Sequence, residues 1–127
     1  MKGSLFPQVR VLLRYARALA GDYQGAIVDA EEAVRLAAEH WQIPYNAACI
    51  YGLASGIAQI EYNDPQTASR CADRAMELLA KAVEGGLKDA VRTKLANKDL
   101  IAKDREFVSL RKRKDFKELL ELARGWQ

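Results

Sequence analysis

Three arginines, Arg10, Arg14 and Arg17, stand at i, i+4 and i+7, and on a helix they share one face. A guanidinium is a planar, permanently charged fork that matches the two oxygens of a carboxylate. A row of this kind either holds acidic groups of a partner or keeps an exposed helix face in water. The opposite side of the same stretch is apolar, with Leu5, Val9, Leu12, Ala16 and Leu19 recurring at helical spacing.

Other reactive side chains form no constellation. His40 is the sole histidine and stands at a predicted helix end beside Trp41, where a positive charge complements the helix dipole. Cys49 and Cys71 sit within apolar helical patterns and read as buried free thiols of a reducing compartment. With no second nitrogen ligand, a zinc site is not expected. Ser4, Ser55, Ser69 and Ser109 lack a nucleophile-elbow context, and no glycine-rich loop ends in Lys-Ser or Lys-Thr. Glu31 and Glu32 fall on a polar helix face, where solvation is the ordinary role. The expectation is therefore no catalytic residue, no metal and no cofactor: not an enzyme.

The elements that would position these residues are helices. Hydrophobic residues make up 50% of the chain and aromatics only 8%, so alanine and leucine carry the core, which favours packed helices over a sheet. Pro7, Pro44 and Pro65 all fall where helices would start. The stretch Ala18 to Ala38 (ALAGDYQGAIVDAEEAVRLAA) ends one helix at Gly21 and opens the next behind Asp22, with Ile27, Ala30, Ala33, Val34 and Ala37 inward to about Glu39. Its small residues predict a tight helical hairpin.

A third helix opens at Pro44, with Tyr45, Ala48 and Tyr51 at helical spacing and Gly52 and Gly56 allowing close backbone approach. Asn63-Asp64-Pro65 predicts a capped start to a fourth, which buries Ala68, Cys71 or Ala72, Ala75, Met76, Leu79, Ala82 and Val83 before Gly85-Gly86 stops it. A brief helix over Asp89 to Ala96, turns over Leu100 to Leu110 and an amphipathic helix over Asp115 to Ala123 follow. Phe107, Leu110, Phe116, Leu119 and Leu120 form the predicted apolar plug. The organisation is one all-α domain: hairpins at about 5–39 and 44–84, and a C-terminal cap at about 88–124.

Charge is unevenly spread. Residues 1–87 hold 8 basic and 10 acidic side chains, whereas 88–127 hold 12 and 7, so the net charge of +3 divides into −2 and +5. The basic 103–117 segment would allow a salt-dependent contact with nucleic acid, but a solvated helix face explains it more simply. No apolar run resembles a signal peptide or approaches the roughly 20 residues that span a bilayer. No membrane contact and a cytoplasmic location are expected. Abrupt helix onset after Met1 suggests a piece of a longer protein.

Gly21-Asp22-Tyr23, Ala26-Ile27 and Ala33-Val34, then Tyr45-Asn46-Ala47-Ala48 with Tyr51, then Ala75-Met76, Leu79 and Ala82-Val83, resemble the turns and helices of tetratricopeptide repeats. That family repeats a helical pair of 34 residues with small residues at the crossing. YNAACIYGLAS, GGLKDA and REFVSLRKRKDFKELL are similar to the tetratricopeptide tails of large bacterial proteins, many with an upstream serine/threonine kinase domain. The second hairpin departs from the pattern by an insertion of about fifteen residues between Tyr51 and Ala75, against the family repeat.

The resemblance implies a short right-handed solenoid of antiparallel helical hairpins with a C-terminal helical cap. It also implies a concave groove lined by the first helix of each repeat. On this sequence the groove would carry Arg10, Arg14, Arg17, Tyr45, Asn46, Cys49 and Leu53, and hold a protein or peptide with an acidic end. The competing expectation is a structural domain that packs against an upstream kinase-like domain, or dimerises through its first helix with Leu5, Phe6 and Val9 exposed.

Overall fold

The computed structural model describes residues 23–60, 62–97 and 99–126. The expected first helix, with Arg10, Arg14 and Arg17, lies outside the described residues. Those described form helices, with no strand among them. In chain order they are α1 (Tyr23–Ala37), α2 (Gln42–Ile60), α3 (Pro65–Ala82), α4 (Lys88–Arg92), α5 (Leu100–Lys103) and α6 (Lys114–Ala123). A wide turn over Val83–Leu87 follows α3, and a 3-10 helix over Arg105–Leu110 precedes α6.

Each boundary has a local cause. α2 begins two residues before the expected start, so Pro44 is its third residue. Its missing N–H costs nothing there, because the first turn of a helix has no internal acceptors to offer. Asp64 caps α3 by accepting the Thr67 N–H at 3.1 Å, and Pro65 takes the first helical position, as the sequence predicts. Gly86 adopts a φ of +118°, a value open to glycine alone at little cost, and breaks the helical path beyond α3.

α2 and α3 form the central pair. Ser55 Oγ donates to the Ala68 carbonyl at 2.8 Å, joining the second half of α2 to the first turn of α3. Alanines at 26, 30, 47, 48, 54, 72, 75 and 82 are buried in one core with Ile43, Ile50, Leu78 and Leu79. Leu78 is fully buried, whereas Met76 and Val83 are only partly so, which rotates the apolar stripe of α3 from its predicted position. Phe107, Leu110 and Phe116 are fully buried in the same core, and Leu119 and Leu120 flank it.

Candidate functional site

The segment from Asp104 to Leu110 lies along the Tyr45–Gly52 stretch of α2. Tyr45 stacks edge-on against Trp41 and Phe107, with ring centroids 5.9 and 5.7 Å away, and Phe107 continues the series to Phe116 at 5.9 Å. The Tyr45 hydroxyl donates to Asp104 Oδ2. Ser109 Oγ donates to the Gly52 carbonyl at 2.9 Å. Gly52 is required here, because a Cβ would stand 2.4 Å from the Glu106 carbonyl oxygen. The segment acts as a strap, fastened by polar contacts at both ends and by Phe107 between them.

The strap decides where the expected groove residues stand. Tyr45 is 4% exposed and Cys49 6%, so both are covered by the chain itself. Burial raises the ionisation of the Tyr45 hydroxyl far above its usual range, with the neighbouring Cys49 and Asp104 adding to it. Burial, then the charge of Asp104, pushes the Cys49 thiol up as well. Asn46 and Leu53 are half-buried on the same helix, with Leu53 packed against the core. They share a face with Ile60, since 46, 53 and 60 are spaced by seven residues. A Cβ on Gly56 would meet no neighbour within 4 Å among the described residues, unlike one on Gly52.

Glu31 is not a merely solvated carboxylate. It accepts a forked pair of hydrogen bonds from Arg74 Nε and Nη2, each 2.8 Å, and a third from the Tyr51 hydroxyl at 2.5 Å. Arg74 also reaches Glu77 at 3.0 Å. One carboxylate thereby joins α1, α2 and α3. The Arg74 fork holds Glu31 below its usual value, burial opposes it, and the Tyr51 hydroxyl lowers it further. Burial and then Glu31 raise the Tyr51 hydroxyl. Sequence spacing gives no hint of this cluster, because its members come from three helices.

Two more carboxylates escaped the sequence reading. Atoms of Cys49, Asp104 and Glu106 that could ligate a metal lie within 4.8 Å of one another, the thiol from α2 and the acids from the strap. In the basic run, Arg113 is engaged by Asp73 and Asp115, each at 2.9 Å, whereas Arg111, Lys112 and Lys114 are exposed. His40 is exposed 3.7 Å from Glu39. Cys71 is a buried free thiol. Among the described residues no helix is long and apolar enough to cross a membrane. Comparison with known proteins gives no match to a family model and no significant match to a curated protein or a solved structure.

Proposed function

We propose that the chain is a non-catalytic protein–protein interaction module: a short, tetratricopeptide-like right-handed stack of helical hairpins closed by its C-terminal cap. It docks a peptide or helix of a partner protein, in the cytoplasm, along the accessible strip of α2. The observation that carries this reading is the strip itself. Asn46 offers an amide to a partner backbone, Leu53 and Ile60 offer apolar contact, and Gly56 leaves room for a close approach. Tyr45 and Cys49 support the strip from beneath the strap and do not touch the partner. Arg10, Arg14 and Arg17 supply the forks that select an acidic end.

Anisotropy titration with fluorescent acidic-ended peptides tests it. Arg14→Glu abolishes binding with the melting temperature nearly unchanged, and Asn46→Ala weakens it. Unaltered affinity in both variants removes the groove. The second reading, a structural domain that oligomerises or packs on an upstream kinase-like domain, is favoured by Ile60, which is 82% exposed at the end of α2. Light scattering over a concentration series separates the two: a dimer that Leu5→Asp dissociates supports oligomerisation, and a concentration-independent monomer supports the groove.

A further inference from the structure

Asp104 and Glu106 approach each other on the strap, and no lysine or arginine among the described residues pairs with either carboxylate. Arg111 lies close, but its Nη2 donates to the Asp104 backbone carbonyl at 3.2 Å and leaves the carboxylate alone. Glu106 is half-buried, and its side chain makes no hydrogen bond or ion pair among the described residues. Cys49 is more than nine-tenths buried, and its Sγ lies within 4.8 Å of a carboxylate oxygen of each acid. Two carboxylates and a buried sulfur from two elements thus converge, with no cationic side chain among the described residues paired to the acids. Buried polar groups ordinarily find partners, and converging carboxylates ordinarily find positive charge.

We propose that Cys49 Sγ, Asp104 and Glu106 form a binding site for a divalent cation of borderline softness, of the Zn2+ class. The sulfur selects against Mg2+ and Ca2+, which take oxygen ligands, and favours ions that accept thiolate and carboxylate together. Zinc–sulfur and zinc–oxygen bonds of about 2.3 and 2.0–2.2 Å require the three groups to close up slightly around the ion. Tyr45 fixes the orientation of the Asp104 carboxylate through its hydroxyl, the part an outer hydrogen bond plays at metal sites. On binding, a metal–sulfur bond replaces the Cys49 S–H bond, and one proton leaves to solvent. Because the sulfur belongs to α2 and the acids to the strap, the ion clips the strap onto the helix. The site stands whether or not a partner docks on α2.

Cobalt(II) is the probe, titrated into the reduced, metal-free, full 127-residue chain. A thiolate-to-cobalt charge-transfer band grows to saturation at a single equivalent, and Zn2+ bleaches it. Zn2+ also raises the melting temperature, since it binds only the folded chain. Cys49→Ser abolishes the band, whereas Cys71→Ser retains it. Asp104→Asn and Glu106→Gln keep the apolar packing of Phe107 and weaken cobalt binding by about tenfold or more, one of three protein ligands being lost in each. Absence of the band in the parent chain overturns the proposal, as does its survival in Cys49→Ser. Stabilisation by Ca2+ or Mg2+ equal to that by Zn2+ also overturns it, since the acids would then be holding a hard cation without the sulfur.

Discussion

A Cβ built on Gly52 would lie 2.4 Å from the carbonyl oxygen of Glu106, so helix α2 and the strap touch backbone to side-chain position with no space between them. A Cβ on Gly56, one turn on, would meet nothing within 4 Å among the described residues. The same substitution therefore has opposite signs at the two positions. Gly56→Ala stabilises by about 0.5–1 kcal/mol through helix propensity. Gly52→Ala carries the same propensity gain but forces the strap off the helix, for a net loss of about 1–3 kcal/mol. Urea denaturation of both variants measures the difference, and equal effects would show that the strap does not hold this position in solution.

Glu31 supplies the pH dependence. Arg74 holds its carboxyl below the usual 4.5, so the folded state binds that proton less readily than the unfolded chain. The stabilisation is present above about pH 4.5 and is lost as pH falls through the lower folded value. The side chains of Arg74 and Glu31 are 28% and 37% exposed, and solvent screening holds the pair to about 1 kcal/mol. Glu31→Gln is less stable than the parent at neutral pH, and the gap closes on acidification below about pH 4.5. A gap independent of pH would assign the loss to packing.

What the sequence made legible was whatever depends on neighbours along the chain. Asp64-Pro65 announces the start of α3, Gly85-Gly86 its end, and the spacing of Phe107, Leu110 and Phe116 their burial. What it hid was contact between distant segments. Tyr45 and Cys49 carry the same helical spacing whether they face a groove or lie beneath a strap. Only the approach of residues 104–109 distinguishes the two. Glu31 and Glu32 likewise look identical in the sequence. Glu31 turns to Arg74 of α3, while Glu32 pairs locally with Arg35. The candidate metal site is invisible for the same reason, since a search for local ligand spacing cannot join Cys49 to Asp104.

The end of α4 gives a backbone prediction. The Leu95 N–H bonds the Ala90 carbonyl at 2.8 Å and the Lys94 N–H bonds the Val91 carbonyl at 3.1 Å, the Schellman pattern of helix termination. That pattern places Lys94 at a φ of +66°, where a side chain is strained and glycine is favoured. Lys94→Gly raises stability by about 0.5–1 kcal/mol, and Lys94→Val lowers it, because a β-branched side chain tolerates this region least. Thermal unfolding of the two variants reads the order directly.

Phe107 tests whether the strap is part of the core or a detachable flap. Its side chain is fully buried between Tyr45 and Phe116, so truncation leaves a cavity that neither ring can fill without leaving its own packing. Phe107→Ala costs about 3–5 kcal/mol if the strap stays in place around that cavity. Were the strap instead to peel away as a unit, Tyr45 and Cys49 would become accessible while the α1–α3 core persisted. Thiol labelling separates the two outcomes. In a cooperative core Cys49 reacts only as fast as the whole chain unfolds, and Phe107→Ala accelerates Cys49 and Cys71 alike. Faster labelling of Cys49 alone would mean that the strap opens by itself.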